Sequence, residues 1–96
     1  MVKQYSTITS GTITANDTKQ NVQVIHDAAS LVATLTATLP ASPVDGQTFG
    51  FASVLGVTVL TMTSALTIIG ALTTIAAAGF STWTFNSDSS KWIRTA

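Results

Sequence analysis

The side chains that could carry out chemistry in this chain are few and widely separated. His26 is the only histidine, and histidine is the side chain best suited to proton transfer near neutral pH. It stands at a predicted strand end beside Asp27, where a hydrogen-bonded surface or interface residue is the simpler interpretation. No serine lies in a nucleophile-elbow motif, and the four aspartates form no evident catalytic pair. We therefore expect no enzymatic activity.

Binding sites for metals and cofactors are equally hard to place. The chain has no cysteine, and a single histidine with scattered aspartates offers no structural metal site. The glycines form no phosphate-cradling motif, because no Gly-Lys-Ser or Gly-Lys-Thr is present. The sequence therefore predicts neither a metal nor a cofactor.

Aromatic and basic side chains are concentrated near the C-terminus. Trp83, Phe85 and Trp92 could form a platform on which sugar rings stack, although in a small domain such residues more often lie in a core or subunit interface. Lys91 and Arg94 are too few for nucleic-acid binding, and the net charge of zero gives no long-range attraction to nucleic acid or anionic membrane. Candidate contacts with a partner or another subunit are Val2, Tyr5, Trp83, Trp92 and Arg94.

The elements that position these residues are predicted to be β-strands. From Gly46 to Ser87 no residue is charged, and threonine alternates with bulky apolar side chains. Such alternation puts an apolar face on a core and a hydroxyl-lined face outward. Strands spaced by roughly 8 to 12 residues leave no room for crossover helices. The sequence thus predicts an all-β fold, a small antiparallel β-sandwich or barrel of about eight short strands.

Turn signals divide the chain into strands within a single domain, residues 1–96. Ser10-Gly11 is typical of a tight hairpin turn, and residues 16–21 form a polar turn. Two prolines followed by an Asp-Gly pair predict a loop over residues 40–47.

The C-terminal third is less uniform in its signals. A hairpin is predicted from Phe80 to Thr95. Residues 71–78 could form a strand, a loop or a short helix, because alanine favours helix whereas Thr73 and Ile75 favour strand. We favour strand and loop, since all the neighbouring segments have strand patterns.

Composition indicates that much of the surface is covered by other protein. Only 8% of the residues are charged, whereas a free-standing soluble domain carries charge on about a quarter of its residues. A chain of 96 residues also has a thin stability margin, which oligomerisation would supplement. We therefore expect a homo-oligomer.

Two other interpretations of the uncharged region are weaker. A membrane-spanning helix needs about 20 mainly apolar residues, but residues 54–80 are interrupted by seven hydroxyl-bearing residues and three glycines, so we expect no membrane contact. Threonine ladders also occur in ice-binding proteins, and residues 12–14 and 34–38 alternate locally, but no fixed coil length links them. Residues 1–6 form no secretion signal, which predicts synthesis in a cytoplasm.

Several segments resemble small β-rich modules of tailed-bacteriophage virion proteins, namely head decoration, head-fibre and tail-fibre modules. They are Thr-Ile-Thr-Ser-Gly-Thr-Ile-Thr from Thr7, Leu-Pro-Ala-Ser-Pro-Val-Asp-Gly-Gln from Leu39, and Gly-Phe-Ser-Thr-Trp-Thr-Phe from Gly79 with the terminal Lys-Trp-Ile-Arg. The resemblance extends from about Ser6 to Arg94. Modules of this kind carry no catalytic residues and are often trimers.

The resemblance implies a structural protein of the virion, made in the host bacterial cytoplasm. The leading expectation is a homotrimeric capsid decoration, or cement, protein that binds the major capsid protein on the outer shell and stabilises the head. Residues 1–6 would be an extended arm that adds a strand to the shell or to a neighbour. The alternative is a head-fibre or tail-fibre/tail-tip domain that binds host surface glycans through Trp83 or Trp92.

Overall fold

A computed structural model describes residues 2–15 and 19–96. Positions 16–18, part of the predicted polar turn over 16–21, lie outside the described residues, as does the first residue of the predicted arm. The described chain contains nine strands and no helix. The strands are β1 (Val2–Ser6), β2 (Thr12–Thr14), β3 (Val22–His26), β4 (Val32–Thr38), β5 (Thr48–Ser53), β6 (Val57–Thr63), β7 (Thr67–Ile69), β8 (Gly79–Asn86) and β9 (Lys91–Arg94).

Strands β1 to β6 alternate between two sheets and wind the chain into a parallel β-solenoid of about three turns. One sheet has six strands in the order β1-β3-β5-β8-β9-β7, and the other has three in the order β2-β4-β6. The pairs β1–β3, β3–β5, β2–β4 and β4–β6 are all parallel. Each turn of the coil therefore contributes one strand to each sheet, and the turns stack on one another around the core.

The predicted antiparallel sandwich or barrel is wrong, although the all-β class is confirmed. Short strand spacing with no room for crossover helices favours antiparallel pairing over a parallel sheet. In the coil, the return path between two parallel strands is itself a strand of the second sheet, since β2 lies between β1 and β3 and β4 between β3 and β5. Strand alternation and turn spacing are the same in both architectures, so neither signal could separate them.

Most strand positions agree with the prediction. The β8–β9 hairpin predicted between Phe80 and Thr95 is confirmed, and Leu35, Ala37 and Leu39 are buried on one side of the chain. Ser10-Gly11 is not a hairpin turn, because β1 and β2 lie in different sheets. Gly11 does have the expected positive φ, 98°, at the corner where the coil changes sheet.

Residues 71–78 form a loop with one isolated bridge, so the loop in the preferred interpretation is confirmed and the strand is not. Ile75 makes an antiparallel bridge with Val57, and their N–H groups donate to each other's carbonyls at 3.0 and 2.9 Å. The N–H of Leu60 donates to the carbonyl of Thr73 at 2.9 Å. The loop therefore covers the outer edge of β6, which would otherwise present unpaired backbone groups.

The core is filled by apolar side chains that point inward from both sheets. The last turn is closed by the β8–β9 hairpin, whose strand β8 pairs antiparallel with β5. Trp83 packs on Phe49 with ring centroids 6.1 Å apart, and Trp92 packs on Phe85 at 5.6 Å. Other buried apolar residues are Ile13, Val22, Val24, Val32, Leu35, Leu39, Phe51, Val57, Leu60 and Ile75. The two indoles cap the coil at its C-terminal end.

The corner between β5 and β6 depends on Gly56. Its φ is 90°, a left-handed conformation that favours glycine. A Cβ placed there would lie 2.8 Å from the carbonyl oxygen of Ile75 and 2.9 Å from the amide nitrogen of Ala77. The loop over β6 can approach this corner only because residue 56 has no side chain.

Replacing Gly56 by alanine is expected to lower the free energy of unfolding by about 2 to 4 kcal/mol. The left-handed backbone accounts for about 1 to 2 kcal/mol of this loss, and displacement of the loop accounts for the rest. Gly11→Ala is the matched control, because Gly11 also has a positive φ but a Cβ there meets nothing within 4 Å. Urea unfolding measures both variants, and equal losses would show that close approach of the loop is unimportant.

Candidate functional site

The outward side of the three-stranded sheet carries a regular array of threonines. The parallel register aligns two threonines from each of β2, β4 and β6 into two rows of three. Threonines on neighbouring strands lie about 4.8 Å apart, and the two threonines on one strand lie about 6.6 Å apart. The six residues, called the threonine face below, are Thr12, Thr14, Thr36, Thr38, Thr61 and Thr63.

The direction of the threonine face is fixed by the residues between the threonines. Ile13, Ala37 and Met62 are aligned in one inward row; the first two are buried and Met62 is partly buried against the core. A strand cannot shift by one residue without moving this apolar row into water. The Thr-X-Thr pattern of each strand therefore places its hydroxyls outward, and β-branched threonine suits an exposed strand position.

The threonine face is uncharged and presents both hydroxyl and methyl groups. Each hydroxyl can donate one hydrogen bond and accept others. The hydroxyls of Thr38 and Thr63 are 2.8 Å apart and bond to each other. The remaining hydroxyl capacity of the face can form hydrogen bonds with polar groups of another protein.

His26 lies inside the coil, hydrogen-bonded as expected but not at the surface. Its Nε2 is 2.8 Å from the carbonyl oxygen of Ile8 and its Nδ1 is 3.1 Å from Oγ of Ser53. A carbonyl oxygen only accepts, so Nε2 carries a proton, and in the neutral ring Nδ1 accepts from the Ser53 hydroxyl. The Ser53 oxygen in turn accepts from the N–H of Gly56 at 3.0 Å. The ring thus connects the first, second and third turns of the coil.

The contacts proposed from the sequence fall into two groups. Trp83 and Trp92 are 0% exposed, so neither ring can stack on a glycan or reach a partner. Tyr5 is 68% exposed on the outer side of β1, Val2 is partly buried, and Arg94 is exposed with its Nε donating to the carbonyl of Ala96 at 3.1 Å. A contact role stays a prediction for Val2, Tyr5 and Arg94. The segment Val2–Ser6 pairs with β3 along one side and is the outer strand of its sheet.

A shallow groove of about 310 Å³ lies on the outer side of the six-stranded sheet, where the loop over residues 40–47 meets the β8–β9 hairpin. Sequence reasoning missed it, because its residues come from three separate segments. The side chains combine a carboxylate, an amide and two hydroxyls around an isoleucine, a mixture that can bind a sugar ring. These lining residues are Asp45, Thr84, Asn86, Ile93 and Thr95.

The carboxylate of Asp45 fastens the loop to the hairpin turn. Its Oδ1 accepts a hydrogen bond from the N–H of Ser87 at 2.9 Å. This backbone bond, followed by a side-chain bond from Ser87, lowers the pKa of Asp45 below its ordinary value of 3.8. The carboxylate therefore stays ionised at the edge of the groove in all but strongly acidic solution.

Comparison of the chain with known protein families, with curated proteins and with solved structures finds no match. Within residues 2–15 and 19–96, no helix could cross a membrane. The same residues contain no group of three histidine, cysteine, aspartate or glutamate side chains placed to hold a metal ion. The candidate functional groups of the described residues therefore lie on the surfaces of the coil.

Replacing His26 by alanine is expected to destabilise the fold by about 3 kcal/mol, because it leaves a cavity and removes the partner of the partly buried Ile8 carbonyl. Thr9→Ala is the control, since Thr9 is an exposed neighbour of the same corner. Urea unfolding followed by tryptophan fluorescence measures both. If the two variants unfolded at the same urea concentration, the connection through the His26 ring would not contribute to stability.

Acid is expected to destabilise the wild-type protein more than Asp45→Asn. Because the pKa of Asp45 is lower in the folded state, its contribution is fully present above 3.8 and is lost as the pH falls through the folded-state value. The asparagine variant has no such titration. Asp88→Asn, in the β8–β9 turn next to Ser87, controls for the loss of one negative charge. Urea unfolding at pH 7 and pH 3 measures the difference. Parallel losses in wild type and Asp45→Asn would contradict the role of the Ser87 bonds.

Proposed function

We propose that this chain is a structural virion protein, a decoration subunit that binds the major capsid protein on the outer surface of a tailed-bacteriophage head. The threonine face carries the proposal, because three stacked turns hold six uncharged hydroxyl-bearing side chains in two aligned rows of three. The resemblance of residues 6–94 to phage virion modules supports the same assignment.

Rigidity makes such a face suitable for docking on a fixed lattice. The threonines belong to strands whose backbone is paired with adjacent turns, so little conformational entropy is lost when they bind. An uncharged face also avoids the cost of removing ions from water. Binding through it requires only hydrogen bonds and close contact with a flat protein surface.

The size of the face points to binding in many copies. Two rows of three threonines cover on the order of 150 Å², far less than the roughly 800 Å² that each partner buries in a standard interface. A single copy would bind weakly through this face alone. Simultaneous binding by linked copies multiplies the affinity without new contacts, which suits an oligomer on a repeating shell.

The first test is the copy number of this chain in purified particles, measured by quantitative mass spectrometry against the major shell protein. A decoration subunit is expected in a fixed, simple ratio to the shell. A count of only a few to a few dozen chains would contradict the capsid assignment and favour a tail or vertex location.

The threonine face itself is tested by rebinding the protein to particles stripped of it. Thr36→Lys places a charge in the middle of the array and is expected to reduce bound protein at least tenfold. Ser89→Lys adds the same charge on the exposed β8–β9 turn and should bind like the wild type. The proposed docking face would be wrong if both variants rebound equally. Because the wild-type face is uncharged, its binding should also change little between low and high salt.

The alternative, a head-fibre or tail-fibre domain that binds host glycans, is favoured by the groove beside Asp45. Buried Trp83 and Trp92 cannot supply its stacking platform, so recognition would use the polar groups around Ile93. Binding on a glycan array that is lost in Asn86→Ala but kept in Ser89→Ala would support this function. No binding to any glycan would leave the capsid assignment ahead.

A further inference from the structure

Most of the large apolar side chains that are exposed in the described residues lie along one edge of the coil. Eight large apolar side chains are exposed in the described part of the chain, and five of them belong to this edge. The five residues, called the apolar ridge below, are Tyr5 (68% exposed), Leu31 (61%), Val54 (46%), Leu55 (39%) and Phe80 (70%).

The strand register builds the first part of the ridge. Tyr5 is paired with Ile25, Ile25 with Ala52, and Ala52 with Phe80. Alternation along β1, β3, β5 and β8 turns all four of these side chains to the outer side of the six-stranded sheet. They form an uninterrupted apolar row near the carboxyl ends of β1, β3 and β5, with an exposed aromatic ring at each end.

The turns that leave the six-stranded sheet extend the row around the corner of the coil. Val54 and Leu55 directly follow β5, and Leu31 directly precedes β4. The N–H of Val32 donates to the carbonyl of Gly56 at 3.3 Å, which brings the ends of these two turns side by side. The ridge is therefore a convex edge that follows the stacking direction of the coil.

The ridge and its turns are almost free of charge. In the segments 27–31, 54–56 and 76–78 the only charged residue is Asp27. A partner would therefore need an apolar surface with few charges, and the whole chain has a net charge of zero. A second copy of the same edge meets this requirement and introduces no long-range repulsion.

We infer that the apolar ridge is the contact surface between copies of this chain, with three copies packed around a common axis and their coil axes parallel. Two convex edges that meet across a two-fold axis touch only along a line. Three convex edges around a three-fold axis bury both flanks of each edge. The inference concerns a surface separate from the threonine face, and it holds or fails whatever the particle location of the protein.

The area of the ridge matches what such a contact needs. With about 200 Å² for a whole aromatic side chain and somewhat less for leucine and valine, the five side chains leave on the order of 500 Å² of apolar surface in water. A standard interface buries about 800 Å² per partner, of which roughly 60% is apolar. Around a three-fold axis each ridge is shared between two neighbours, so over its two contacts together each chain buries about the apolar area of one standard interface.

The test is the mass of the purified full chain in solution, measured by native mass spectrometry and by light scattering across a range of concentrations. The wild type is expected at three times the chain mass. Phe80→Lys and Leu31→Lys each add a charge to an exposed ridge position and are expected at the monomer mass at the same concentration. Val59→Lys is the matched control, because Val59 is 51% exposed but lies on the three-stranded sheet, and it should keep the wild-type mass.

Tryptophan fluorescence and circular dichroism, recorded on each variant, establish that the coil is folded. A wild type that is monomeric up to about 100 µM, or dimeric, would overturn the inference, and so would folded ridge variants that keep the trimer mass. Dissociation by Val59→Lys alone would place the interface on the other sheet. A wild-type trimer with low copy number in particles would contradict the capsid assignment but not the inference that the ridge is the interface.

Discussion

Parallel backbone pairing between successive turns sets the position of the threonine face and of most of the apolar ridge. β3 pairs with β1 on one side and β5 on the other, and β4 is held in the same way between β2 and β6. A shift of one residue in any pair would exchange the inward and outward side chains of that strand. The buried row through Ala37 and the threonine face on its reverse side are therefore two results of one register.

The coil is stable at this small size because different interactions close its turns at different places. With no cysteine available, the His26 ring joins three turns through Ile8 and Ser53, in a position where other small proteins use a disulfide or metal. At the C-terminal end Trp83 and Trp92 fill the last turn. Neither indole N–H has a hydrogen-bond partner within the described residues, so their contribution is apolar packing.

Local structure could be read from the sequence, whereas the architecture could not. Threonine alternation and turn residues located the strands and the final hairpin, because these depend on neighbouring residues alone. The solenoid could not be recognised in the sequence because its turns differ in length. Val22 follows its partner Val2 by 20 residues and Phe49 follows Val22 by 27, so a search for a fixed repeat fails. The same limit applies to the candidate contact residues. The burial of Trp83 and the exposure of Tyr5 depend on which strands become neighbours, and local sequence does not show this.

The two ends of the six-stranded sheet are unequal, and this limits how the protein can aggregate. The outer strand at one end is β1, five residues long, whereas the other end is the three-residue β7. Long outer strands recruit strands from other chains, and short ones rarely do. Two molecules that joined through β1 would use up both long edges. Growth through this edge would then stop at a pair instead of continuing into a fibre.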